Sequence, residues 1–93
     1  MTDDQLARAL RSVGMAAFVT HLALFRSSMS GEGAAAALNA HSGWRPDACR
    51  TRVSNARAII DAGRLDDALR TIARAQRVPE AVRDAARRLR AAP

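Results

Sequence analysis

A chain of 93 residues fits one domain with a thin core, and its 48% hydrophobic content overstates that core because 22 of those residues are Ala. The basic residues number 15 and all are Arg; against nine acids they give a net charge of +6, carried entirely by residues 44–93, while residues 1–43 balance to zero. One cysteine excludes an internal disulfide framework, and no run approaches the ~20 apolar residues of a membrane-spanning helix.

Ala, Leu and Arg favour helix, Tyr is absent, and no alternating apolar run suggests a strand. The expected fold is therefore all-α, a compact bundle of about five helices in a single domain, 1–93. Thr2 is an expected N-cap with Gln5 as its capping-box partner. Two apolar stripes follow, one through Leu6, Leu10, Val13 and Ala17, the other through Met15, Phe18, Leu22 and Phe25. Residues 3–26 are then either one long helix or two that meet near Gly14, a glycine kept for close packing or a bend. Ser27 to Gly31 reads as a loop, with Ser28 or Ser30 capping a short Ala-rich helix over residues 32–41. Ser42 and Gly43 end it.

Pro46 suits a first helical position, and Asp47 complements the positive helix end. This helix is expected over residues 46–62, with Gly63 as its stop. Two more are expected at 66–77 and 79–91, within a C-terminal helical pair at about 65–91. Leu65, Leu69 and Ile72 line the first; Val78, Val82, Ala85 and Leu89 line the second. At about 100° per residue, Cys49, Val53, Ala56 and Ile60 share the inner face of the 46–62 helix. Asp47, Thr51, Ser54, Asn55 and Ala58 fall on the far side, between Arg50 and Arg57 on one shoulder and Arg52 on the other. Such a face suits a DNA major groove: Arg can make paired hydrogen bonds to guanine, Asn to adenine, and Ser and Thr serve bases or phosphates. An ordinary solvated helix carries the same residue types.

A short helix, a Gly-containing break and a polar-faced helix, joined through Ser42-Gly43-Trp44-Arg45-Pro46-Asp47-Ala48-Cys49-Arg50-Thr51-Arg52-Val53, resemble the helix-turn-helix of bacterial and phage DNA-binding regulators. The unit covers residues 31–63. The resemblance implies that Arg50, Thr51, Ser54 and Asn55 meet base edges, and that Arg45, Arg52 and Arg57 touch phosphates. Further along, Arg70, Arg74 and Arg77 share a face, as do Arg83, Arg87 and Arg90. Either row could track a phosphate backbone or form a solvated face, with Arg70 and Arg74 the added phosphate candidates.

Sites for chemistry are sparse. His21 lies between apolar stripes, His41 sits at a helix end, and Cys49 falls on the inner face as a small hydrophobe. Trp44 reads as a plug in the turn or an anchor beside the polar helix. No nucleotide-loop or metalloprotease motif occurs, so neither a catalytic activity, a metal nor another cofactor is expected. The chain is expected to be a cytoplasmic, double-stranded DNA-binding transcriptional regulator, acting as a homodimer and not on a membrane. The alternative is a helical protein-interaction module, an adaptor or small inhibitor, whose Arg surface meets an acidic protein.

Overall fold

The computed structural model describes residues 1–92, and Pro93 lies outside the described residues. Helix α1 (Asp3–Val13) starts where Thr2 and Gln5 cap each other: the Gln5 amide donates to Thr2 Oγ1 at 3.1 Å, and the Thr2 amide to Gln5 Oε1 at 2.8 Å. Leu6, Ala9, Leu10 and Val13 recur at helical spacing and are buried together. Gly14 stops the helix with φ at 89°, a region that L side chains rarely enter. The backbone conformation therefore favours glycine, and a Cβ built there would also stand 3.2 Å from an Arg52 nitrogen, which would have to shift.

Helices α2 (Met15–Thr20) and α3 (Leu22–Phe25) follow, parted at His21. Residues 3–26 thus form three helices, and the described residues hold seven helices rather than about five. No Gly or Pro marks the second break. His21 stands at that break, its ring packed edge-on against Phe25 and Trp44 with centroids 6.4 and 5.6 Å away.

Helix α4 (Gly31–Ser42) is capped by Ser30, whose hydroxyl accepts from the Gly33 amide at 3.0 Å. It ends at Gly43 in the left-handed conformation, φ 75°, whose N–H returns to the Asn39 carbonyl at 2.9 Å. Only Gly43, Trp44 and Arg45 separate α4 from α5 (Pro46–Asp61), which opens on its proline as expected. Helices α6 (Leu65–Arg74) and α7 (Glu80–Ala91) complete the chain; the first ends three residues sooner than residue 77.

The core gathers Leu10, Val13, Phe18, Phe25, Leu38, Cys49, Ile59 and Ile72, all essentially without solvent contact. Helix α5 runs through the middle of this arrangement, packed against α1 on one side and α4 on the other. It buries Ile59 fully and Ile60 partly, whereas the single-stripe reading placed Ile60 inward. A helix with neighbours on two sides buries a wider arc than one stripe, so both isoleucines find apolar surroundings. At the C-terminal end the pattern is weaker: α7 buries Ala86 alone, while Val78, Val82 and Ala85 are half-buried and Leu89 is 37% exposed. The Cα radius of gyration is 12.4 Å, close to the ~13 Å of a compact 100-residue chain.

Candidate nucleic-acid interface

The short turn before α5 is built from polar side chains that satisfy its backbone. Ser42 Oγ donates to the Leu38 carbonyl at 2.7 Å and accepts from the Trp44 amide at 3.0 Å. Asn39 Nδ2 donates to the Trp44 carbonyl at 2.6 Å, and the buried Cys49 thiol points at that same oxygen from 3.6 Å. The Trp44 ring is half-buried between His21 and the Arg52 guanidinium, whose Cζ stands 4.1 Å from the ring centroid. Burial, then the charges of His41 and Arg52, holds the His21 imidazole below its ordinary pKa. Trp44 therefore fixes the start of α5 from inside the turn.

From that fixed start, α5 presents Asp47, Arg50, Thr51, Ser54, Ala58 and Asp61 to solvent along one strip. Thr51 and Ser54 are exposed. Asn55 is half-buried at the edge of the strip, and its Nδ2 donates to the Thr51 carbonyl of its own helix at 2.9 Å. Arg50 is ion-paired with Asp47 one turn earlier, with 56% of its side chain still exposed. Arg45 caps the helix as an exposed residue and has no ion pair among the described residues.

Two arginines assigned outward by the helical wheel turn inward. Arg52 reaches back to the Val13 carbonyl at the end of α1. Arg57 closes on the α3 terminus, its Nε donating to the Phe25 carbonyl at 3.1 Å and its Nη2 to the Ser27 carbonyl at 3.2 Å. Each satisfies carbonyls that a helix end leaves without intrahelical partners. Further along, Arg70 pairs with Asp67 at 2.6 Å, whereas Arg74 is exposed and without an ion pair among the described residues.

The charge asymmetry of the sequence is redistributed by the fold. Arg50, Arg64, Arg70, Arg83, Arg87 and Arg90 each lie against a carboxylate, most of them at i−3 or i+3 on the same helix. Arg52 and Arg57 cap carbonyls. The cations without such partners among the described residues are Arg8, Arg11, Arg26, Arg45, Arg74, Arg77 and Arg88. Three of them, Arg8, Arg11 and Arg26, belong to the half of the chain whose charges sum to zero. There, Asp3 is drawn off to Arg64 at 2.6 Å, across the molecule. Arg8, with Gln5 and Ser12, lines a groove against Asn55 and Ala58 of α5. The available signal was their spacing: Arg8 and Arg11 lie three apart, opposite the Leu6, Leu10 and Val13 stripe.

Among the described residues no group of three His, Cys, Asp or Glu side chains is placed to hold a metal ion, and no helix is long and apolar enough to cross a membrane. In comparisons with known proteins, no family model matches this chain, and no curated protein or solved structure matches it.

Proposed function

We propose that this chain binds double-stranded DNA and reads it through α5, acting by recognition without chemistry. The observation that carries the reading is the outward strip of α5. Thr51, Ser54 and Ala58 are small, exposed side chains on a helix seated by the Trp44 turn between α1 and α4. Small side chains at the centre of the strip suit entry into a major groove, and Arg50 within the strip and Asn55 at its edge carry donors that would leave Asp47 and the Thr51 carbonyl to meet a base. Arg45 stands at its N-terminal end, where the positive helix terminus also favours a phosphate. Arg52 and Arg57 take a different part in this reading. They lock α5 to α1 and α3, so that the helix is rigid before it meets a ligand. In a helix-turn-helix regulator of this form, two copies would set paired α5 helices about one duplex turn apart.

Fluorescence anisotropy with a random-sequence duplex tests the reading. Binding should weaken steeply between low and physiological salt, because each neutralised phosphate releases counterions. Selection from a randomised duplex pool should then yield a preferred sequence, and a Thr51→Ala/Ser54→Ala variant should lose that preference while still binding DNA. Absence of binding at low salt overturns the reading.

A second reading is supported by the groove between α2 and α7, lined by Val19, Val82, Ala85 and Leu89 with Arg88 at its edge. An acidic, partly apolar protein would suit it. A stoichiometric acidic partner, retained after nuclease treatment, in place of DNA would favour this role.

A further inference from the structure

We propose that His21 and Trp44 form an acid-released latch on the turn between α4 and α5: when His21 takes up a proton, the Trp44 ring leaves its seat while the helices around it stay folded. Such a latch operates whether or not the chain binds a duplex. Different groups hold the backbone and the ring of Trp44. Its amide donates to Ser42 Oγ at 3.0 Å, and its carbonyl accepts from Asn39 Nδ2 at 2.6 Å. A hydroxyl and an amide do not titrate in the range of histidine, so the turn keeps these bonds in mild acid. The ring is half-buried and flanked by two groups: the His21 ring, edge-on with centroids 5.6 Å apart, and the Arg52 guanidinium, 4.1 Å from the Trp44 centroid. Arg52 is anchored in turn on the Val13 carbonyl. His21 stands at the junction of α2 and α3, so its contact ties that junction to the start of α5.

The surroundings of His21 oppose a second positive charge. Helices α2 and α3 carry no ionisable side chain. The helices packed on them carry Arg11 (α1), His41 (α4), Arg52 and Arg57 (α5) and Arg88 (α7). Of these, His41 and Arg52 act on the imidazole, and no carboxylate does. Burial first, then these two charges, disfavours the imidazolium, which therefore forms only as pH falls below the ordinary 6.5. At neutral pH the latch is closed. An aromatic ring attracts a cation, but Arg52 already stands over this one, so a charged His21 meets a like charge at the same ring. Water is the better environment for the imidazolium. His21 is itself half-buried, and a change of rotamer carries its ring to solvent without unwinding α2 or α3. Its departure strips the Trp44 ring of one flank and opens it to water, and the start of α5 loses the side chain that fixes it.

Trp44 is the only tryptophan, so the intrinsic fluorescence of the full chain reports this ring alone. Titration from about pH 7.5 to about pH 4.5 covers the range in which the latch opens. Emission should move to longer wavelength, and acrylamide should quench it more strongly, while the helical circular dichroism signal is retained. His21→Gln should remove this transition. His41→Gln keeps the latch and takes away a like charge, so the transition should move to higher pH. Emission that is constant with pH overturns the latch, as does a transition that persists in His21→Gln or stays in place in His41→Gln. So does emission that changes only together with the circular dichroism, since the ring then follows general unfolding. Falling intensity at constant wavelength and constant acrylamide access also overturns it, because the imidazolium is then quenching a ring still seated. If His21→Gln does not fold, the His41→Gln shift and the comparison of the two signals still decide.

Discussion

His21 ends one short helix and begins the next, with its ring between Phe25 and Trp44. Burial, His41 and Arg52 all disfavour its charged form, and no carboxylate is among the groups acting on it. Its pKa when folded therefore lies below the ordinary 6.5 that it has in the unfolded chain. Below pH 6.5 the unfolded chain takes up a proton that the folded chain resists, so stability falls as pH drops from there toward the folded pKa. Above 6.5 both forms are neutral and the contribution of His21 is complete. Denaturant midpoints should be lower at pH 5.5 than at pH 7.5 (both about one unit from that value). His21→Gln should flatten this difference, whatever it does to stability at neutral pH. An unaltered difference would assign the acid sensitivity to other groups. The residue was legible in sequence as a histidine set between apolar stripes; its place between Phe25 and Trp44 was not, because Trp44 lies 23 positions away.

Among the elements, α5 was the most legible. Pro46 and Asp47 marked its start, and the Cys49, Val53 and Ala56 stripe marked its inner face. Its arginines were not legible, since a wheel shows direction and not reach. Arg50, Arg52 and Arg57 look interchangeable on paper. Yet Arg52 caps α1 and stacks on Trp44, Arg57 caps α3, and Arg50 meets only Asp47 within hydrogen-bonding distance. Their contributions to stability should separate accordingly. Arg52→Ala leaves the Val13 carbonyl and one Trp44 face without partners and should cost about 1–3 kcal/mol, the range for a charged hydrogen bond lost from a partly buried site. Arg50→Ala removes a surface pair and should cost under ~1 kcal/mol. Urea denaturation of the two variants at one ionic strength gives the comparison directly; equal midpoints would show that Arg52 is not a fastener. The same comparison bears on the proposed duplex reading, because Arg50, 56% exposed, is the one of the three not bonded to a neighbouring helix end.

At the scale of the molecule, apolar burial is uneven, and the sequence pattern concealed it. Val78, Val82, Ala85 and Leu89 have the spacing of a core stripe, yet only Ala86 of α7 is fully buried. The stripe packs against α2 and α6 only half-buried, with Leu89 at the open edge of the α2–α7 groove. Polar contacts join this partial apolar packing in holding α7: Arg90 on Asp66 at 2.9 Å, Arg87 on the Ala73 carbonyl at 3.2 Å and Arg83 on the Ala75 carbonyl at 3.3 Å. Surface polar contacts of this kind are worth little beside a buried Leu or Ile, which contributes roughly 1.5–3 kcal/mol. Helices α1, α4 and α5, which share Leu10, Val13, Leu38, Cys49, Val53 and Ile59, hold the larger apolar share. Native-state hydrogen exchange should therefore find α7 opening first. Its amides should exchange through a low-energy partial unfolding, while those of α5 near Val53 and Ala56 require the global transition. Raising the salt concentration should speed exchange in α7 selectively, because screening weakens ion pairs and leaves apolar contacts intact. Uniform protection across α5 and α7, insensitive to salt, would mean that the shallow stripe binds α7 as firmly as the central core binds α5.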